Sequence, residues 1–195
     1  MRGILAFVCL CATLLPSEVT GQTLRRSLGE LSRESDAVVV GKTLSTESYW
    51  TADRSAIMTR VKIRIDESVA GALSGEATIL VPGGQVGEYL HEVSDMPIFA
   101  ADEEVMVFVT RLSTGEFIVA GGMQGKLDVI RDPSSGDRTV LAGAGLVSGL
   151  DVDLVEGSTS FPAAAGDQMI EADDEKTAVP LVDFVKRVKR LEQER

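Results

Sequence analysis

Between Ala37 and Leu141 the apolar residues come in short, β-branched runs with a period of two, the signature of strands rather than helices. Ile57, Thr59, Val61, Ile63 and Ile65 alternate with Met58, Arg60, Lys62, Arg64 and Asp66, so this strand turns one face to a core and the other to water. Ala37 to Val40 is apolar on both faces and reads as a buried strand continuing to Glu47. Glu104 to Arg111, through Val105, Met106, Val107, Phe108 and Val109, reads as a second central strand. Ala77 to Val81 predicts a strand closed by Pro82-Gly83-Gly84, and Gly87 to Val93 predicts the next. Ser113-Thr114-Gly115 turns the chain into Glu116 to Ala120 as a hairpin. Lys126 to Arg131 and Arg138 to Leu141 flank Asp132 to Asp137, whose proline, serines and glycine favour turning. Seven or eight short strands at this spacing predict an antiparallel barrel or sandwich.

Two helical patterns frame the strands. Leu24, Leu28 and Leu31 share one face of a short helix over Thr23 to Arg33, placed to lie over one barrel end. Leu181, Phe184, Val185, Val188 and Leu191 form one apolar stripe in a helix over residues 180–195. Pro180 stands near its first turn, and Lys186, Arg187, Lys189 and Arg190 stand towards its C-terminus, where the helix dipole favours cations. Residues 142–179 are rich in glycine, alanine and acid residues and read as a long flexible surface segment, with one strand near Asp151 to Val155.

The N-terminus changes the picture of compartment. One positive charge at Arg2 precedes an apolar run from Ile4 to Leu15, then small and polar residues: the layout of a secretory signal peptide. The run is shorter than the roughly 20 residues that a membrane-crossing helix needs. Residues 1–21 are therefore expected to be cleaved before Gln22, with no stable membrane insertion afterwards. Cys9 and Cys11, the only cysteines, would leave with the leader, so the mature chain has no disulfide, thiolate nucleophile or cysteine metal ligand. An exported chain that relies on its core alone points to a secreted or periplasmic bacterial protein. The net charge of −11 argues against nucleic acid, whose binding rests on a basic surface.

The order of phrases is familiar: Ser35-Asp36-Ala37-Val38-Val39-Val40-Gly41-Lys42, then Val61 to Gly71, Asp102 to Val109 and Gly115 to Gly121. Over about Ser35 to Gly125 it resembles the netrin-like, OB-type barrel of tissue inhibitors of metalloproteinases and of small secreted bacterial proteins that share that pattern. The resemblance implies a mainly β chain, an OB-like antiparallel Greek-key barrel over residues 22–141, five-stranded and partly open, with protein binding and protease inhibition as the family's activity. Those inhibitors grip a catalytic zinc with a disulfide-tied N-terminal cysteine, which the mature chain here lacks, so the inhibitory mechanism does not carry over.

Candidate chemistry is sparse. Gly83-Gly84-Gln85-Val86-Gly87 has the glycines of a phosphate-cradling loop, but a period-two stretch follows it where such a loop needs a helix N-terminus. His91, the only histidine, cannot supply a three-ligand zinc site or a catalytic triad, and reads as a solvent-facing strand residue. Asp102-Glu103-Glu104, Asp151 to Asp153 and Glu171 to Glu175 match no EF-hand spacing. Arg60, Lys62 and Arg64 line one strand face without stacking aromatics and read as ion-pairing residues. Tyr49-Trp50-Thr51-Ala52-Asp53-Arg54-Ser55 joins the first two strands and holds the only tryptophan, the kind of anchor that protein recognition favours. The sequence thus predicts a non-enzymatic module that binds another exported protein, a protease being one candidate, through Tyr49, Trp50, Arg54, Gly83, Gly84, Tyr89 and His91, with no cofactor or metal. The alternatives are an envelope assembly protein using the acidic segment and the last helix, and a hydrolase with Asp102 or Glu104 in a carboxylate pair.

Overall fold

A computed structural model describes residues 25–147 and 176–194. The leader, Leu24, the strand expected near Asp151 to Val155 and the acidic Glu171 to Glu175 lie outside the described residues. In chain order the elements are α1 (Leu28–Glu34), β1 (Ala37–Trp50), β2 (Ile57–Ala70), β3 (Gly75–Pro82), β4 (Gly84–Val86), β5 (Tyr89–His91), β6 (Glu104–Arg111), β7 (Phe117–Val119), a 3-10 turn (Gly122–Gly125), β8 (Lys126–Arg131), β9 (Arg138–Gly143), α2 (Ala144–Val147), β10 (Lys176–Pro180) and α3 (Leu181–Gln193).

The alternation that marks β2 in the sequence is what lets the sheet curl. β1, β2, β3, β7 and β6 are hydrogen-bonded in that order, and β6 returns to pair with β1, closing a five-stranded OB-like barrel. All its pairings are antiparallel except the contact of β3 with β7, a single parallel pair at Ile79 and Phe117. The resemblance implied a partly open barrel; here the β1–β6 ladder, from Ala37 opposite Val109 to Lys42 opposite Glu104, shuts it. β1 manages both ladders by bending. Its register to β2 shifts at Val38/Val39, Val40/Gly41 and Thr43/Ser45, and a Cβ on Gly41 would meet the Arg64 carbonyl oxygen at 2.2 Å, so only glycine fits the bend.

Because successive side chains of a strand point to opposite faces, the all-apolar stretches of β1 and β6 serve two cores at once. Val105, Val107 and Val109 point into the barrel with Val61, Ile63 and Ile79. Val38, Val40, Met106 and Phe108 point outwards and meet Leu31, Phe184 and Val188 from the helices. Phe108, Phe184, Leu31 and Ile63 are all less than 2% exposed, and each such burial is worth roughly 1.5–3 kcal/mol.

The outer core exists because the sheet runs on past the barrel. β8 pairs with β6, β9 with β8 and β10 with β9, and α3 lies across this extension with Leu181, Phe184, Val185 and Val188 inward. α1 begins at Leu28 rather than Thr23, since Ser27 and Glu30 form a reciprocal capping box there. It packs on α3 and the outer face of β6, not over a barrel end. The segment predicted over residues 142–179 is bounded by structure: β9 runs through Gly143 into α2, and β10 begins at Lys176. Ion pairs tie the extension to the barrel. Lys126 of β8 bonds Glu103 and, at 2.8 Å, Asp128, which Lys176 of β10 also reaches at 3.1 Å. Burial pushes the Asp128 carboxyl up, but the Lys126 hydrogen bond and charge, with Glu103 and Lys176, outweigh it and hold it at about 2.

One buried group opposes the fold. Thr43 is fully buried, yet its hydroxyl has no hydrogen-bond partner. Thr43→Val keeps the shape and removes the orphaned hydroxyl, so it is expected to raise unfolding stability by about 1 kcal/mol in urea titration.

Candidate functional site

The candidate residues meet at the end of the barrel where β1 leaves it. Tyr49 and Trp50 are the last residues of β1 rather than part of a loop, and Trp50 pairs with Ile57 at the start of β2. Residues 51–56 form a turn braced by its own side chains. Thr51 Oγ1 donates to Asp53 at 2.7 Å, the Ser55 hydroxyl donates to the other Asp53 oxygen at 2.8 Å, and the Ala56 amide donates to Thr51 Oγ1 at 3.1 Å. The Thr51 and Ser55 hydroxyls and the Ser55 amide hold the Asp53 carboxyl well below its ordinary range, at about 2. Arg54 at the tip has a left-handed backbone, φ 57°, uncommon for a residue with a Cβ.

The strand predicted over Gly87 to Val93 is instead a small hairpin, β4 turning at Gly87-Glu88 into β5. It is clamped to β2 at Ile57, which accepts from the Gly83 amide at 2.9 Å and donates its own amide to His91 Nδ1 at 3.3 Å. His91 is therefore a half-buried hydrogen-bond acceptor rather than a solvent-facing side chain. Thr59 Oγ1 donates to the Gly83 carbonyl at 2.7 Å and is hydrogen-bonded to Ser48 at 2.9 Å. Gly84 lies directly over this pair with φ 128°, and a Cβ there would sit 2.3 Å from Thr59 Oγ1 and 2.4 Å from Ser48 Oγ. Gly83 and Gly84 are thus seats for the hairpin, not a phosphate cradle.

Seated this way, the hairpin brings Tyr89 to Trp50. Their ring centroids are 5.6 Å apart at 72°, an edge-to-face pair, and with Arg54 they line a shallow cleft of about 250 Å³. Tyr89 and its neighbour Leu90 are 67% and 63% exposed. Tyr49 does not join them. It points to the opposite side of β1, where the Arg60 guanidinium covers its ring at 4.0 Å and reaches Glu116 at 3.7 Å.

A second cleft, of about 280 Å³, holds Asp102 and Glu104, either of which was the expected member of a hydrolytic carboxylate pair. Asp102 is bound by Lys42 at 2.7 Å, whose hydrogen bond and charge lower its pKa. Glu104 takes Arg131 and Arg138, each at 3.2 Å. A general acid needs its proton held near neutral pH, and a lowered Asp102 facing Lys42 supplies the opposite. Arg64, the other cation here, is occupied by Asp66 at 2.9 Å. Among the described residues, no group of three or more His, Cys, Asp and Glu could hold a metal ion, and no helix is long and apolar enough to cross a membrane.

Sequence reasoning missed Leu90, Ile57 and the Ser48–Thr59 pair, which position or extend the surface. The brace had a legible signal, since Thr51, Asp53 and Ser55 are the short polar residues that bond their own backbone in turns. The clamp had none, because Ile57 and His91 are 34 positions apart. No protein-family model, curated protein or solved structure matches this chain.

Gly84→Ala forces a Cβ into the Ser48–Thr59 pair at a backbone angle that disfavours one. It is expected to cost on the order of 2–3 kcal/mol and to separate Tyr89 from Trp50, seen as a red shift of the tryptophan emission in the folded protein.

Proposed function

We propose that the chain is an exported, non-enzymatic binding module that recognises another exported protein, secreted or periplasmic in a bacterium, through the Trp50–Tyr89 end of its barrel. The leader-like residues 1–21 motivate export. The observation that carries recognition is the edge-to-face pair of half-buried Trp50, beside a braced turn, and exposed Tyr89, on a clamped hairpin. Tryptophan and tyrosine bury large area with few rotors, and a surface already ordered before contact loses less entropy on binding. An exported protease is one candidate partner, through the netrin-like resemblance over Ser35 to Gly125. The zinc-gripping cysteine is missing from the mature chain, so any effect on a protease would use other contacts.

Assembly through the last helix has less support. The apolar stripe of α3 is spent on the chain's own outer core, which leaves Val182 as its large exposed apolar residue. The carboxylate-pair hydrolase has less still, given the ion-paired state of Asp102 and Glu104.

Affinity capture from the organism's exported fraction with wild-type, Trp50→Ala and Tyr89→Ala proteins tests the proposal. The wild type is expected to retain a partner, and either truncation to weaken it by about 2 kcal/mol, roughly thirtyfold. Equal retention by all three proteins would remove the assignment to this surface.

A further inference from the structure

Arg54 stands at the rim of the Trp50–Tyr89 cleft with no ion pair or side-chain hydrogen bond among the described residues. Other arginines of the barrel and its extension are engaged: Arg60 faces Glu116, Arg64 faces Asp66, and Arg131 and Arg138 face Glu104. The nearest acid in sequence, Asp53, is turned to its own turn, where both its oxygens are bonded to Thr51 and Ser55. The cleft therefore offers a guanidinium with free donors beside two aromatic surfaces, on a chain whose net charge is −11.

We infer that this cleft binds an extended peptide segment of the partner in which an Asp or Glu side chain stands next to a flat apolar residue. The inference rests on the recognition reading above and names its ligand chemistry. A guanidinium meets a carboxylate through two parallel, charge-assisted hydrogen bonds, stronger than neutral ones and more demanding in geometry. The rings supply the other half: a face and an edge meeting at 72° form a corner that accepts one proline or aromatic ring.

Trp50 is the only tryptophan in the chain, so its emission reports on this cleft directly. The probes are two capped tripeptide libraries, one with Glu and one with Gln at the middle position, each with every residue except Trp, Asp and Glu at the flanks, and a glucuronate oligosaccharide. The Glu library is expected to shift the Trp50 emission with half-saturation about tenfold lower than the Gln library. Arg54→Asn, which suits the left-handed backbone and so keeps the fold, is expected to raise the Glu value to the Gln value with the thermal midpoint unchanged. Equal half-saturation for both libraries would overturn the carboxylate inference while leaving the recognition surface standing. Silence from both libraries, an undiminished response in Arg54→Asn, or a response to the oligosaccharide alone would overturn it as well. Failure of the recognition reading itself shows separately, as partner capture indifferent to Trp50 and Tyr89.

Discussion

The structure depends on a two-stranded wall, Ala37 to Gly41 of β1 against Val105 to Val109 of β6, that is buried on both faces. One face fills the barrel and the other receives α1 and α3, so a single ladder both closes the sheet and seats the helices. A wall of this kind tolerates little polarity, since any unpaired group in it loses water on both sides. The β-branched and aromatic residues along Val38 to Val40 and Val105 to Val109 answer that constraint.

The end proposed for recognition follows from the length of β1. Its first residues belong to the wall, and its last, Tyr49 and Trp50, extend beyond β6 with only β2 and the β4–β5 hairpin beside them. What keeps this exposed end from fraying is a set of short polar bonds rather than a core: Asp53 across its turn, His91 and Gly83 on Ile57, and Thr59 between Ser48 and the Gly83 carbonyl. The apolar interior fixes where the end emerges, and the polar bonds fix the shape it presents. Rigidity of this origin suits binding, because it orders Trp50 and Tyr89 without hiding them.

Strands with a clean pattern were legible in the residues. The alternation of Ile57 to Asp66 and the doubly apolar Val105 to Val109 identify β2 and β6 with their burial, and the Leu181 to Leu191 stripe identifies α3. The strand order was not legible, because periodicity says which face is buried but not which strand is the neighbour. The small hairpin was misread as one strand, since Gly87-Glu88 interrupts a run too short to show two. α1 was placed too early because its leucine spacing extends upstream of the Ser27 cap. Of the site, the residue types were legible and the grouping was not: Tyr49 was assigned with Trp50, although neighbours on a strand face opposite ways, and Tyr89 joined Trp50 only through the clamp on Ile57.

The account therefore has one structural centre, the doubly buried wall, and one end, proposed for recognition, that the wall holds out to solvent. Amide hydrogen exchange on the purified chain tests the centre most directly, because protection ranks segments by the free energy of opening them. The amides of Val38 to Gly41 and Val105 to Val109 are expected to exchange slowest and together, after those of β8, β9 and β10 have already exchanged. A slowest set located in β9, β10 and α3, with the β1–β6 ladder exchanging ahead of it, would contradict the account.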